Sequence, residues 1–425
     1  MRSPGFFLFC VLAVSCALAQ SADRPVVAGY VTRIASAADF DVNGVRVLCG
    51  EQTQTRELSA LDSLHPGCPH DPLFIGESVR VMGNLHDKAP RIEAVQIEEM
   101  PVALGEVSGL AAIDALPAPA PADGLLVRAD GYRIRIDVKT AITWVAPLNA
   151  LSNLKAGDWI EYKGQRNADG SIAAATAKLS PDVVSEGEAK LRAKTDLDKL
   201  PVPVQANQGK TRLADKAAES KRYPAYPDAA MQARISEIGN KLVPAYQHAL
   251  PGSDTAKINL RFRLVDEKHW HDAMTLPSGI ILVPRQVVDR MQNDSQLATV
   301  LADNIACALE KQTYRDLPAS LALSATGVGA DVAGIFVPGL GLVGAGAGIG
   351  EEEIKTKAEE QSGRVSLGLL RDAGYDVDQA PVTWWLLAPK HPRPLTQTPI
   401  PRRAAYVYRM LGENWHNPAA ISLKP

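Results

Sequence analysis

Between residues 25 and 180 apolar and polar side chains alternate in short runs, among them Val79/Val81, Ile134/Ile136 and Ile160/Tyr162. A period of two marks strands with one buried face, and the Gly, Asp and Asn residues between the runs supply turns. The runs recur. Gly29-Tyr30-Val31 reads again as Gly105-Glu106-Val107, the segment Gly76–Gly83 as Gly157–Gly164, and Ile92-Glu93-Ala94-Val95 as Ile172-Ala173-Ala174-Ala175. A repeat at an offset of about 80 residues predicts a duplicated module. Two small antiparallel barrels are expected, one over residues 25–100 and one over 101–180.

From Pro181 to about residue 227 the chain turns to Lys, Asp, Glu, Ala and Pro, which reads as a solvated linker with a stretch of surface helix. Helical spacing begins at Asp228, a helix-capping residue followed by Ile235, Ile238 and Leu242 on one face. Ile258, Leu260, Phe262 and Leu264 alternate as a strand, Leu276–Gly279 is a turn, and Ile280-Ile281-Leu282-Val283 is a second strand. Asn293-Asp294-Ser295 caps a helix carrying Leu297, Val300, Leu301, Ile305 and Ala308, and another helix runs from Glu351 through Leu370. Between these helices lies an Ala/Gly-rich apolar stretch. Its segment Val332–Ile349 holds several glycines and Pro338, which disfavour a lipid-facing helix, so soluble packing is expected over membrane contact. The predicted architecture is multidomain: two all-β barrels followed by an α+β domain over residues 228–425.

Composition narrows the function classes. The net charge of −3 gives no basic excess for a general nucleic-acid or anionic-membrane surface. Arg2, the apolar run Phe6–Leu18 and Ala17-Leu18-Ala19 read as a secretory signal over residues 1–19, cleaved near Gln20. The alternative is a lipid anchor on Cys16, for which Ala13-Val14-Ser15 is a poor signal. Export implies a periplasmic or extracellular protein in which disulfides persist. Cys49 and Cys68 are expected to pair, with two buried thiols as the alternative, and Cys307 is left over.

The glycine-punctuated strands of residues 25–180 are similar to the exported β-barrel modules of domain-of-unknown-function family 5666, which bring no catalytic residues. Residues 228–415 show a longer resemblance. "INLRFRLVDE", "DAMTLPSGIILVP", "NDSQLATVLADNIACALEK", "KAEEQSGRVSLGLLRDAGYD" and "KHPRP" stand in the order of the gluzincin zinc metallopeptidases of peptidase family 48, the CAAX-prenyl protease, HtpX and BepA type. That family needs H-E-x-x-H on a helix, where two histidines one turn apart grip zinc and the glutamate polarises its water. The resemblance places Asp303 and Cys307 at the histidines and Asn304 at the glutamate. It leaves Glu359 at the third ligand position and puts Gly363 where a supporting Asp belongs. An amide is no general base, so catalysis is expected to be lost and no cofactor is expected.

Two readings follow. In one the chain is a pseudopeptidase of envelope protein quality control, binding extended or unfolded polypeptide, or a protein partner, along strand Ile280, Ile281, Leu282, Val283. In the other it is an active metalloendopeptidase holding zinc through Asp303, Cys307 and Glu359. His269 and His271 form a further histidine pair without a third ligand nearby in sequence.

Overall fold

The structure, a computed structural model, describes residues 26–57, 63–70, 72–86, 91–100, 106–117, 124–167, 170–198, 223–268, 270–315, 351–388 and 401–414. The first repeat forms β1 (Val26–Ser36), β2 (Asp39–Val42), β3 (Val45–Leu48), β4 (Gln54–Arg56), β5 (His65–Pro66), β6 (Ser78–His86) and β7 (Arg91–Glu99). Strands run β3-β2-β1-β6-β7, and a parallel β3–β7 pairing at Val47↔Ile92 closes them into a barrel. Closure removes the open edges that a lone sheet would expose. Val31, Phe40, Val47, Val81, Ile92 and Ile97 fill the interior, each fully buried.

The second repeat gives β8 (Glu106–Ala115), β9 (Gly124–Ala129), β10 (Tyr132–Asp137), β11 (Ala141–Trp144), β12 (Trp159–Arg166) and β13 (Ile172–Ser180). It closes the same way, through a parallel β10–β13 pairing at Ile134↔Ile172. Both modules carry an extra parallel strand, β4 on β7 and β11 on β13. Both share a bulge at equivalent places, between Met82 and Gly83 in one and between Lys163 and Gly164 in the other. A Cβ at Gly83 would stand 2.1 Å from the Glu93 carbonyl oxygen, and one at Gly164 2.3 Å from that of Ala173. The same close backbone approach therefore requires glycine in each copy.

The hydrogen bonds correct one repeat assignment. Val31 N donates to Glu77 O and Val31 O accepts from Gly76 N, and Ile113 makes the equivalent pair with Asp158 and Gly157. Gly29–Val31 thus corresponds to Ala111–Ile113, not to residues 105–107. The slip is an even number of residues, which leaves every side chain on its own face, so alternation alone could not detect it.

The C-terminal half is a helical region around a three-stranded sheet. Its elements are α1 (Glu186–Lys194), α2 (Ala229–Leu242), α3 (Ala245–Ala249), β14 (Arg261–Val265), β15 (Met274–Thr275), β16 (Ile280–Pro284), α4 (Arg285–Arg290), α5 (Asp294–Leu309), α6 (Gln312–Arg315), α7 (Glu351–Asp372), α8 (Gln379–Leu387) and α9 (Arg402–Asn414). The expected caps are present: Asp228 accepts from Met231 N at 2.9 Å and Asn293 from Gln296 N at 3.0 Å. Helix α5 is buried along nearly its whole length and packs against α2, α7 and α8.

Strand β16 is central, not an edge. It pairs in parallel with β14 and antiparallel with β15, and all its residues are buried. The expectation that Ile280, Ile281, Leu282 and Val283 offer a strand for peptide addition fails, because both of its edges are taken.

Part of the stretch read as a linker is docked. In α1 and its approach, Ser185 Oγ lies 2.9 Å from the Tyr314 hydroxyl, and Lys311 Nζ is 3.1 Å from Glu188 and 2.5 Å from Asp182. Residues 199–222 lie outside the described residues, as do the signal segment 1–19, the Val332–Ile349 stretch and His269. Among the described residues no helix is long and apolar enough to cross a membrane.

The barrels are joined to the helical region by polar contacts. Arg364 on α7 donates to Asp130 O at 2.9 Å and to the Tyr406 hydroxyl at 2.7 Å, and it also pairs with the Asp130 carboxylate. Gln361 Nε2 donates to Leu110 O at 3.0 Å, and Tyr30 of the first barrel stacks obliquely on Tyr406.

Candidate functional site

Helix α5 brings Asp303 and Cys307 onto one face, one turn apart. Helix α7 supplies Glu359 and Ser362, the segment before β15 supplies Asp272, and the first turn of α9 supplies Arg403. At Asp303 the two carboxylate oxygens have different partners. One accepts from Ser362 Oγ at 2.9 Å and the other is ion-paired with Arg403. Arg403 also donates to Asp272 at 2.7 Å, and its Cζ sits 3.3 Å from the centroid of the Trp384 ring. Burial alone would lower the Arg403 pKa, but Asp303 and Asp272 more than reverse this, so the guanidinium stays charged. A fixed cation, stacked on an aromatic face, thus stands against the Asp303 carboxylate.

Asn304 is buried, and both ends of its amide are taken. Its amide nitrogen donates to Val300 O at 2.9 Å and its amide oxygen accepts from Thr275 Oγ1 at 2.8 Å. The side chain ties β15 to the helix and offers no base. Cys307 is a neutral thiol, because burial, followed by the Asp303 charge, pushes its pKa well up. It donates to Gln312 Oε1 at 2.9 Å. Glu359 Oε2 lies 3.8 Å from Arg402.

Ser362, not Gly363, is the α7 residue that supports Asp303. A Cβ on Gly363 would meet Val407 and Tyr406 at 3.6 and 3.8 Å, so that position faces α9. The ligand atoms of Asp303, Cys307 and Glu359 do not converge either. Among the described residues the one triad of metal-ligating type whose atoms all lie within 4.8 Å of one another is Glu57, His65 and His70. His271 is exposed and belongs to no such triad.

On the first barrel the expected disulfide is present. Cys49 and Cys68 are joined with a Cα–Cα distance of 5.5 Å, and Cys307 is free. Residues 28–98 match the family model Domain of unknown function (DUF5666). The match spans the closed barrel from β1 to β7 and agrees with the resemblance read from that part of the sequence. It covers neither the second barrel, where the family likeness rests on the repeat, nor the helical region, where the peptidase likeness rests on the order of motifs alone. No curated protein matches the chain.

Sequence reasoning missed Arg403 and the Glu57/His65/His70 triad. No local pattern couples Arg403 to a residue a hundred positions earlier. The triad left a faint signal, since two of the eight histidines flank Cys68 in the run His65-Pro66-Gly67-Cys68-Pro69-His70.

Proposed function

We propose that the protein is an exported, non-catalytic peptidase-like module that binds extended polypeptide or an envelope protein partner. One observation carries this reading: Arg403 is paired with Asp303, the residue that this reading puts at the first metal-ligand position. A dication at that position must compete with a resident guanidinium for the same carboxylate. Catalysis would further need a base, and Asn304 supplies an amide already committed to Val300 and Thr275. The Cys49–Cys68 bridge suits an oxidising compartment and therefore export.

Polypeptide binding by strand addition is obstructed at β14 as well as at β16. Gln232 donates to Phe262 O at 2.8 Å and accepts from Leu264 N at 2.9 Å, which mimics a neighbouring strand, and Tyr226 N takes Leu264 O. The binding surface in this reading is the cleft beside that edge, with a volume of about 550 Å³, lined by Tyr223, Asn240, Leu260, Arg261 and Arg263. A second cleft of about 480 Å³ adjoins it through Asn240, Leu260 and Arg261 and adds Lys257 and His248. The lining mixes the apolar Leu260 with the charged Arg261, Arg263 and Lys257, which suits an extended chain held through its side chains.

The test uses the full mature chain with reduced, unfolded casein. The expected result is saturable binding without cleavage, weakened by Leu260→Asp in the cleft. Cleavage that a chelator stops and Asp303→Asn abolishes would overturn the reading, as would the absence of any binding.

A further inference from the structure

The geometry points to a divalent transition-metal site of the zinc class on the first barrel, formed by Glu57, His65 and His70. It is independent of how the helical region is read. One carboxylate and two imidazoles are a donor set that zinc and its neighbours accept, with a fourth position left for water or a further ligand.

Three observations make this a built site rather than a chance cluster. First, the candidate ligand atoms of all three residues lie within 4.8 Å of one another. His65 Nε2 is 3.2 Å from Glu57 Oε1, close to the roughly 3.3 Å that separates two ligands around a tetrahedral zinc. Second, that Nε2 is buried and has no hydrogen-bond partner among the described residues, despite its nearness to the carboxylate. Third, the frame is rigid. Thr55 pairs with His65 across β4 and β5, Gly67 N donates to Thr53 O at 2.8 Å, and Thr55 Oγ1 donates to Gly67 O at 2.7 Å. The Cys49–Cys68 bridge then anchors the loop between the two histidines to the end of β3.

The Glu57 carboxylate is itself held. It is 5% exposed and accepts from His70 N. The imidazoles of His65 and His70 stack 4.2 Å apart and nearly parallel, which keeps both rings at the same end of the loop. His70 is exposed, which gives an ion a path in from solvent. The metal would staple β4 and β5 together on the same loop as the disulfide.

The experiment titrates the oxidised full-length mature protein with Zn²⁺ by calorimetry and with Co²⁺ by absorption. The expected result is one equivalent bound, with the visible bands of a tetrahedral cobalt site. His70→Ala, at an exposed ring, and Glu57→Gln, which keeps the acceptor for His70 N, should each weaken binding by at least about 100-fold. Peptide mapping of the Cys49–Cys68 bridge checks that the loop is intact in both. Asp303→Asn should leave binding unchanged, which separates this site from the helical region. A wild-type protein that takes up no Zn²⁺ at micromolar concentrations would overturn the proposal. Full affinity retained in both variants would do the same.

Discussion

Asp303 and Arg403 form an ion pair between the buried core helix and the first turn of the C-terminal helix. Asp303 is 3% exposed, and its remaining carboxylate oxygen is held by Ser362 at 2.9 Å. Removing one member of such a pair strands the other charge away from water, which typically costs about 3–5 kcal/mol. Arg403→Met should therefore lower stability by about 3 kcal/mol in urea unfolding. Asp303→Asn combined with Arg403→Met should recover part of that loss, because no carboxylate is then left unpaired at Asp303. Additive losses in the double variant would show that the two residues do not act on each other.

A second prediction concerns pH. Burial raises the Glu310 carboxyl to about 8 from 4.5, where it accepts from Ala112 N at 3.2 Å beside the second barrel. The folded chain therefore holds a proton between these values that the unfolded chain releases. Stability from this group is complete below about pH 4.5 and declines as pH rises towards 8, by up to about 1.4 kcal/mol per unit. Glu310→Gln keeps an acceptor for Ala112 N and removes the titration. Relative to wild type the variant should gain stability at pH 8 over pH 5, read from urea unfolding at both values. An unchanged difference between the two proteins across that range would refute the protonated state.

What was legible in the sequence is what the chain specifies locally. The side chains of Asp228 and Asn293 announce the starts of α2 and α5, and period-two runs bounded by glycine announce the barrel strands. The spacing of Cys49 and Cys68 in a small module announced their bridge. Non-local matters were not legible. Whether Gly29 aligns with residue 105 or with Ala111 depends on strand pairing, since both registers keep the same faces. The central place of β16 did have a local trace that could have been used. Four successive apolar residues, Ile280 to Val283, signal a strand covered on both faces rather than an edge. The partner of Asp303 had no trace at all, because a guanidinium arriving from a distant helix leaves no mark near Asp303.

The last prediction tests whether Arg403 closes a former metal site. If the peptidase-like register is right, Asp303→His, Asn304→Glu and Cys307→His together rebuild the two imidazoles and the base around Glu359. With Arg403 retained, its guanidinium still faces the new ligands, now without Asp303 to balance it, and a dication must enter beside a fixed positive charge. The triple variant should thus bind zinc at least about tenfold more weakly than the same variant carrying Arg403→Met, a difference of about 1.4 kcal/mol. Gly363→Asp should add nothing to either, because that position faces Val407 and Tyr406 rather than α5. Both proteins should carry His70→Ala, so that zinc on the first barrel does not enter the count, and calorimetry reads the affinity. Equal binding with and without Arg403 would remove it as the blocking group. No binding by either would show that Asp303 and Cys307 do not stand at metal-ligand positions, and the pseudopeptidase reading would fall with that register.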